Sequence, residues 1–580
     1  MDSLTTVATD VLVIGSGIAG CFAALKAREI GADVVMVEQG KSGFSGMSTG
    51  GTHRVRVVLP DDDFEEAMKG TVMECEYMVD QDFLQEALVE TFDRLRDLLN
   101  LGAEFRRDES GNIKWYWADT MLPDFKQRNA MWEPVGSYKH ILKINKQVVR
   151  RGVKVFDRVM LVDLLTVNGE VKGAVGFDTR KGDFYLFKAR AVVVAAGGFS
   201  GGGVGNSPSL TGDGIAMGIR VGAELRSMEF GKAETGGMLP DRGAPPWVSV
   251  LLNPQDPEVT FTNALGEDFL DQYELGKRVP GRKYYGPPYR IHLMAALKEI
   301  KEGRGPCYVD YRAPDKAARL RQFWGSFFDR TLRQIKVTGT TFDKMKYELA
   351  ISRGYNLGGG IRITPQGQSS VPGLYSAGQS SDMCCVAQYC IVSGMMASAI
   401  TARRAGGNAA QYALSQPEPR IDKEQVKSLK RQIYAPLNRK HGTAADELRM
   451  KIIKTWVNVD IRNEDRLTTA HLGFDELRQE ADNLAATDYH ELVKCHKMSA
   501  YIECSDAVAV AALARRETRL EHIREDYPLT DNKNWLKWVI VKQVGGKLTG
   551  LLEDIPFGRW KYRPESRIID RLQLAGGNCD

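Results

Sequence analysis

The chain has 580 residues, which is too long for one hydrophobic core, so we expect two or three domains. Its 78 Lys and Arg nearly balance its 74 Asp and Glu, and no basic tract interleaved with aromatic residues occurs, which argues against a nucleic-acid-binding protein. No uninterrupted apolar stretch approaches the roughly 18 residues of a membrane-spanning helix, and no export signal opens the chain. We therefore expect a cytoplasmic protein.

The N-terminal segment reads as a strand, a glycine-rich turn, a helix and a second strand. The apolar run "VLVI" leads into Gly15-Ser-Gly17-Ile-Ala-Gly20, a helical pattern follows, and the run "DVVMV" ends at Glu38. This order predicts a dinucleotide-binding unit. Gly15 would form the tight turn, Gly17 would let a pyrophosphate approach the helix, Gly20 would allow close helix–strand packing, and Glu38 would accept hydrogen bonds from a ribose.

Further glycine-rich segments follow in chain order. They are "KSGFSGMSTGG" (41–51), "ARAVVVAAGG" (189–198), "LTGDGIAMGIRVGAEL" (210–225) and "VPGLYSAGQSSD" (371–382). A bound flavin nucleotide is usually held by several distant segments, and no second strand–GxGxxG–helix unit ending in an acid occurs. These features favour FAD, with electrons exchanged through another protein or a diffusible carrier.

These segments, in this order, resemble the flavoprotein subunits of the succinate dehydrogenase/fumarate reductase family, which also contains L-aspartate oxidase and the adenylylsulfate reductase α subunit. The resemblance extends over nearly the whole chain. Motifs of the family's capping and C-terminal domains are matched by "TFTNALGEDFLDQY" (260–273), "YRIHLMAALKEIKEGRG" (289–305) and "RRETRLEHIREDYPLTDNKNWLKW" (515–538).

The resemblance implies an α/β fold with a Rossmann-type FAD-binding domain that is interrupted by an α+β capping domain and followed by a C-terminal helical domain. We expect the first part of the FAD-binding domain at 1–235, the capping domain at 236–352, the return segment at 353–410, and the helical domain with its tail at 411–580. Amphipathic helical patterns beyond residue 405 agree with the last of these.

The resemblance also implies which residues hold the cofactor. They are Gly15, Gly17, Gly20, Glu38, Ser45, Gly50, Gly51, Ala196, Gly197, Asp213 and Gln379. Gln379 stands where the family usually has an acid. Phe44 stands where membrane-complex members attach the flavin to a histidine, so we expect noncovalent FAD.

Three departures from the family pattern concern the substrate. Glu234 replaces the histidine of "HPTG", Gly354 replaces the histidine before "YTMGG", and the arginine of "GANRLGG" falls on or near Tyr389. An acid at position 234 would repel the second carboxylate of a dianion unless it is protonated or paired. We therefore expect a substrate other than fumarate or succinate.

Three residues are candidates for catalysis. Arg290 matches the family arginine that donates a proton or clamps a carboxylate, and a surface ion pair is the alternative interpretation. His292 is a rival proton carrier, or else a structural histidine. Glu234 is a general base or orients a polar substrate group, or it pairs with Lys232 or Arg290.

The nine cysteines are scattered, odd in number and without a Cys-x-x-Cys pair, so we expect reduced thiols and neither an iron–sulfur cluster nor a metal site within the chain. Cys384, Cys385 and Cys390 are either core residues or thiols that line the pocket.

Together these features predict an FAD-dependent oxidoreductase subunit that reduces or dehydrogenates a C–C bond next to an electron-withdrawing group, with an iron–sulfur protein as its electron-transfer partner and a small organic molecule as its substrate. One alternative is an adenylylsulfate-reductase-like α subunit. Another is a flavin-bearing electron-transfer subunit without a substrate of its own.

Overall fold

The structure is a computed structural model and describes residues 4–49, 54–118, 127–132, 137–201, 210–233, 237–239, 260–269, 288–310, 346–350, 355–383, 394–460, 462–520 and 522–569. Its helices are α1 (Ile18–Ile30), α2 (Phe64–Glu74), α3 (Gln81–Asn100), α4 (Ser137–Arg150), α5 (Asp213–Arg220), α6 (Pro288–Lys301), α7 (Met395–Ser415), α8 (Lys423–Tyr434), α9 (Ala445–Asp460), α10 (Glu464–Ala481) and α11 (Tyr489–Ala514).

The strands are β1 (Leu4–Ile14), β2 (Val34–Glu38), β3 (Arg54–Val57), β4 (Trp115–Ala118), β5 (Gln127–Met131), β6 (Lys154–Asp157), β7 (Val159–Val167), β8 (Glu170–Asp178), β9 (Phe184–Val194), β10 (Ser200–Gly201), β11 (Leu225–Arg226), β12 (Gly231–Ala233), β13 (Gly237–Leu239), β14 (Thr260–Thr262), β15 (Tyr308–Asp310), β16 (Lys346–Ala350), β17 (Tyr355–Leu357), β18 (Gly360–Ile361), β19 (Leu374–Ser376), β20 (Thr530–Asp531), β21 (Lys537–Val544), β22 (Lys547–Asp554) and β23 (Ile568–Ile569).

A mainly parallel sheet organises the nucleotide-binding part. Strands β6, β2, β1 and β9 are parallel neighbours in that order. The other edge of β9 is shared, because β8 pairs antiparallel with its first half and β19 pairs parallel with its last three residues. The carboxyl ends of β1, β2, β9 and β19 therefore meet at one edge of the sheet, which is where open α/β sheets bind ligands.

Both faces of this sheet are buried, which explains why its strands read as continuous apolar runs. Val11 and Val13 of β1 pack into a core with α1 and α7, whereas Leu12 and Ile14 pack into a second core with the C-terminal helices. The contact between α1 and α7 is close, since a methyl group on Gly406 would lie 2.2 Å from the Ala23 carbonyl oxygen.

The described residues between 237 and 350 combine a sheet with a helix, as expected for an α+β capping domain. Strands β13, β16, β15 and β14 form an antiparallel sheet in that order, and α6 lies between β14 and β15 in the chain. Glu299 near the end of α6 is fully buried, and it accepts hydrogen bonds from Arg304 at 2.6 and 2.7 Å and from Asn263 at 2.8 Å.

The C-terminal region contains helices α8 to α11 and also contributes strands to the nucleotide-binding part. The hairpin β21–β22 joins β11, where Leu225 is opposite Val541. Arg226 next to it forms a buried ion pair with Asp382 at 2.5 Å and lies 4.6 Å above the Trp538 ring. The sequence did not predict that this hairpin pairs with β11, because the two segments lie more than 300 residues apart in the chain.

The described part of the segment "RRETRLEHIREDYP" contains a buried ionic network. Arg515 and Arg519 are almost completely buried, and Glu517 accepts from them at 2.9 and 2.6 Å. Arg515 also donates to Glu229 at 2.9 Å, in the segment that follows β11. Since removing one partner of a buried pair leaves the other uncompensated, these residues lock the C-terminal region to the nucleotide-binding part.

His496 of α11 connects the helical domain to the main sheet. Its ring lies 5.8 Å from the Phe177 ring of β8, and its Nε2 is 3.0 Å from the Ile433 carbonyl oxygen at the end of α8. Burial lowers the pKa of His496 to about 4.

We expect His496 to make the protein less stable in mild acid. An unfolded histidine titrates near about 6.5, so its contribution is complete above that pH and is lost as the pH falls towards 4, on the order of 1–2 kcal/mol at pH 5. Melting temperatures at pH 7 and pH 5 would therefore differ less in His496→Gln than in the unmodified protein. The exposed His490 of the same helix supplies the control, His490→Gln. An equal pH dependence in the two variants would contradict this assignment.

Candidate functional site

The glycine turn after β1 is packed so closely that a side chain has no space at two of its positions. Gly15 has a φ of +106°, and a methyl group there would lie 2.3 Å from the Ala195 carbonyl oxygen at the end of β9. A methyl group on Gly20 would lie 1.9 Å from the Gly15 carbonyl oxygen. The turn is therefore held between the end of β9 and the first turn of α1.

The N terminus of α1 is suited to bind an anion. The helix follows Gly17, which has no side chain to cap it, and its first turn contains no acidic residue. The Ile18 N–H donates to the Ser48 hydroxyl at 3.1 Å. The helix dipole and the remaining N–H groups of the first turn are available to a negatively charged group such as a pyrophosphate.

Glu38 ties this turn to the loop that follows β2. Its Oε2 accepts from the Ser16 N–H at 3.1 Å and the Ser16 hydroxyl at 2.8 Å, and its Oε1 accepts from the Gly40 N–H at 2.8 Å. The carboxylate is buried and so is fixed in direction, while Oε1 keeps a lone pair for a further donor. Ser45 lies beside the same loop, with its Cβ 3.2 Å from a methyl group built on Gly40.

The segment after β9 meets the return segment at the same edge. Gly197 has a φ of +84° and follows Ala196, whose Cα lies 3.0 Å from a methyl group built on Gly15. The Gly197 carbonyl oxygen accepts from the Ser380 hydroxyl at 2.8 Å. Gln379 is adjacent, because a methyl group on Gly198 would lie 3.0 Å from its Cβ.

Asp213 begins α5 in the Thr-Gly-Asp-Gly turn. It accepts from the Thr211 hydroxyl at 3.0 Å, and burial raises the pKa of its carboxyl group. A methyl group on the following Gly214 would lie 3.0 Å from the Ala196 Cβ, so this turn also packs against the end of β9. Helix α11 also contacts this turn, because its Cys504 thiol donates to the Gly212 carbonyl oxygen at 3.5 Å. The turn thus begins a helix and also forms one wall of the proposed nucleotide site. We call the set of segments around this edge of the sheet the cofactor cradle.

Eight of the sequence-predicted cofactor residues accordingly lie around one edge of the main sheet, together with Gln379. The other two, Gly50 and Gly51, lie outside the described residues, as do Glu234, Gly354, Tyr389 and the three cysteines Cys384, Cys385 and Cys390. Arg290 and His292 belong to the first two turns of α6, and at these positions the structure describes the backbone but not the side chains.

Sequence reasoning missed Asn145 of α4, which contacts the glycine turn directly. Its Nδ2 donates to the Ser16 carbonyl oxygen at 3.2 Å, and its Oδ1 is buried without a hydrogen-bond partner among the described residues. Such an unsatisfied buried acceptor calls for an additional donor. A single polar residue among Ile141, Ile144 and Val148 on the apolar side of a helix was the available signal.

These features fit a dinucleotide. Gly17 places no side chain between the start of α1 and a bound pyrophosphate, and the first turn of this helix contains no acidic residue. The buried Asn145 Oδ1 beside the turn has no hydrogen-bond partner among the described residues. In the part of the chain that is described, no cluster of three or more His, Cys, Asp or Glu could hold a metal ion. None of the described helices combines the length and apolarity that a bilayer span requires.

A cradle built from distant glycine-rich segments at the carboxyl edge of a parallel sheet defines a dinucleotide-binding flavoprotein. The family model "FAD binding domain" matches residues 10–387, and the model "Fumarate reductase flavoprotein C-term" matches residues 448–568. The chain belongs to the succinate dehydrogenase/fumarate reductase flavoprotein family, binds FAD and is an FAD-dependent oxidoreductase, which confirms the expected family, cofactor and fold class.

Relatives match over almost their whole length. One subunit of fumarate reductase (CoM/CoB) from Methanothermobacter marburgensis is 26% identical over 563 residues, which cover 92% of this chain and 97% of that protein. Quinol–fumarate reductase of E. coli has a TM-score of 0.83 at 19% identity, covering 99% and 100% of the two chains. Adenylylsulfate reductase of Archaeoglobus fulgidus has a TM-score of 0.73 at 20% identity, covering 96% and 98%. At these identities the two solved structures establish the shared fold.

We expect Gly20→Ala to abolish most cofactor binding. The added methyl group collides with a backbone oxygen, which cannot rotate away, so α1 must shift from the turn at a cost of about 1–3 kcal/mol or more. The ratio of flavin absorbance to protein should fall at least about five-fold, and the melting temperature should drop. Gly558→Ala is the matched control, because Gly558 is exposed with open space around it. A Gly20→Ala protein with full FAD content would refute the close packing described above.

The flavin should be released when the protein is precipitated with acid. Phe44, at the position of the family's flavin-linking histidine, offers no nucleophilic atom, and it is 54% exposed and stacked on Tyr138 at 6.4 Å. All flavin absorbance should therefore remain in the supernatant after trichloroacetic acid treatment. Flavin that sediments with the polypeptide would mean a covalent link through another side chain.

Proposed function

We propose that the protein adds hydrogen to, or removes it from, a C–C bond next to an electron-withdrawing group, in an organic substrate other than fumarate or succinate. The observation that carries the substrate assignment is Glu234 at the position of a dicarboxylate-binding histidine, together with Gly354 and Tyr389 at two further anchor positions. An ionised Glu234 would repel a second carboxylate. A monoanionic or thioester substrate avoids that repulsion.

FAD held in the cradle supplies or accepts the hydride in this reaction. The chain itself must then deliver or remove a proton on the opposite face of the double bond and hold the electron-withdrawing group. We assign both tasks to the Arg290 guanidinium. Its planar fork of N–H groups holds the electron-withdrawing group while its positive charge stabilises the developing negative charge, and one N–H then gives its proton to the carbon and is reprotonated from solvent.

Arg290 and His292 are alternatives for the proton donor. They lie two residues apart in α6, and an α-helix turns by roughly 100° per residue, so their positions are about 200° apart around the axis. The two positions therefore lie on nearly opposite faces of the helix, and only one of them can face a given substrate. We favour Arg290 because it is the position that matches the family motif.

We also propose that the electrons come from a separate iron–sulfur protein. The sequence has a single dinucleotide-binding fingerprint and nine cysteines without a Cys-x-x-Cys pair, so it contains neither a nicotinamide domain nor a usual cluster motif of its own. The relative from Methanothermobacter marburgensis is, by its description, one subunit of a larger enzyme. By analogy, we propose that this chain also works with a separate electron-transfer protein.

Arg290→Gln should lower turnover by about a thousand-fold or more while FAD content stays the same, because the proton and the charge are lost from the transition state. The assay is anaerobic reduction of a panel of enoates and enoyl thioesters, with fumarate included, using a chemically reduced dye as electron donor. Lys301→Gln is the control, because Lys301 is an exposed cation in the last turn of the same helix.

Other results of this assay have defined meanings. A comparable loss in His292→Gln with an active Arg290→Gln protein would transfer the role to His292. Fumarate as the best substrate would refute the substrate assignment. Turnover of adenosine phosphosulfate alone would favour the adenylylsulfate-reductase-like alternative, and FAD that is reduced by the dye but reoxidised by no compound would favour an electron-transfer subunit.

A further inference from the structure

A small antiparallel sheet adjoins the cofactor cradle. Its strands are in the order β10, β17 and β12. Strand β10 begins two residues after Gly198, where an added methyl group would lie 3.0 Å from the Gln379 Cβ. In the sequence, Glu234 directly follows β12 and Gly354 directly precedes β17. The sheet therefore connects the cradle with two of the positions at which this chain departs from the family's substrate-binding residues.

Three polar residues are aligned across this sheet. Asn356 of the central strand β17 is opposite Ser200 of β10 on one side and opposite Lys232 of β12 on the other. Residues directly opposite one another in neighbouring strands lie on the same face of a sheet. The backbone register thus places Ser200, Asn356 and Lys232 in one row, which we call the polar row.

The neighbouring residues of β10 show which face of the sheet meets the helical domain. A methyl group on Gly201 would lie 2.5 Å from the Trp456 ring of α9, and the Phe199 ring lies 5.8 Å from the same ring. Since successive residues of a strand alternate between the two faces, Ser200 lies on the opposite face. The polar row is therefore on the side of the sheet that faces away from α9.

Ser200 indicates that this face takes an additional hydrogen-bonding partner. The residue is only 4% exposed, and its hydroxyl has no hydrogen-bond partner within the part of the chain that the structure describes. Buried polar groups are nearly always paired in proteins, so this hydroxyl calls for a ligand or an ordered water. A hydroxyl, an amide and an ammonium group in one row are three donors, and a carboxylate accepts from all of them.

We propose that the polar row binds the single carboxylate of an α,β-unsaturated monocarboxylic acid, so that the free acid, and not its thioester, is the substrate class. This inference rests on the proposed function. Lys232 supplies the positive charge, and the Asn356 amide and the Ser200 hydroxyl donate hydrogen bonds. A carboxylate offers about four lone-pair positions, so it accepts from this row and from Arg290 together. The carbonyl group of a thioester is neutral and would leave the Lys232 charge without a counter-ion.

The order of charges after β12 explains why one carboxylate is accepted and a second is not. Glu234 follows Lys232 by two residues, so the chain between them spans at most about 7 Å. The carboxylates of fumarate are separated by only two carbon atoms. If one of them binds at Lys232, the other comes within range of the Glu234 charge and is repelled. A monocarboxylic acid has no second charge to repel.

The test is titration of the oxidised, FAD-loaded, full-length protein with acrylate, crotonate and cinnamate, followed through the change in the flavin absorbance spectrum. At least one of these acids should bind about ten-fold or more tightly than fumarate and than its own neutral N-acetylcysteamine thioester. Lys232→Met should weaken binding of that acid about ten-fold to a hundred-fold, while FAD content and thioester affinity stay within about two-fold. Lys232→Arg keeps the charge and should recover most of the affinity. Lys547→Met removes an exposed lysine of β22 and is the matched control.

A second background separates carboxylate binding from an ion pair between Lys232 and Glu234. If Lys232 only neutralised Glu234, Lys232→Met would have no effect in a Glu234→Gln protein. We expect a loss of about ten-fold or more in that background as well. If Lys232→Met fails to fold, Ser200→Ala should still weaken binding of the acid about three-fold and leave the thioester affinity unchanged.

Several results would overturn the proposal. These are no spectral change with any of the acids up to about 10 mM, equal or tighter binding of the thioesters, an unchanged acid affinity in Lys232→Met, or an effect of Lys232→Met that disappears in Glu234→Gln. Failure of the proposed function gives a different pattern. Lys232-dependent binding of an acid that the dye-reduced protein never hydrogenates would refute the proposed function and leave the carboxylate site intact. Hydrogenation of an enoate with a KM that Lys232→Met does not change would refute the carboxylate site alone.

Discussion

The close approach of three backbone segments around Gly15 is the constraint on which the rest of the site depends. The Ala195 carbonyl oxygen at the end of β9 and the first turn of α1 occupy the space that side chains at positions 15 and 20 would need. This contact brings two strand ends, which are about 180 residues apart in sequence, to the same point as a helix N terminus. Every other wall of the cradle is attached to one of these three segments.

The C-terminal region supports the cradle from outside it. Cys504 of α11 contacts the Thr-Gly-Asp-Gly turn, the hairpin β21–β22 pairs with β11, and Arg515 donates to Glu229 in the buried ionic network. Because the network is buried and nearly all its charges are paired, it holds the C-terminal region against the segment between α5 and the capping domain. The long C-terminal motif of the family therefore has a structural explanation that needs no role in catalysis.

Helix α4 shows how one element serves two surfaces. Its apolar side carries a polar residue, Asn145, at the point of contact with the glycine turn, while its outer side collects the basic residues. The amphipathic pattern alone indicates only that one side is buried. The contact between Asn145 and the Ser16 carbonyl oxygen is visible only in the tertiary structure.

The sequence by itself determined the dinucleotide-binding unit, because the spacing of Gly15, Gly17, Gly20 and Glu38 within one strand–helix–strand unit is a local property. It also determined the order of the glycine-rich segments, and hence the family and the cofactor. Only the tertiary structure decided which distant groups complete the cradle, namely the Ala195 carbonyl oxygen, Ser48, Asn145 and Ser380, and that β21 pairs with β11. Contacts of this kind depend on how strands and helices pack across hundreds of residues, and short-range periodicity does not record them.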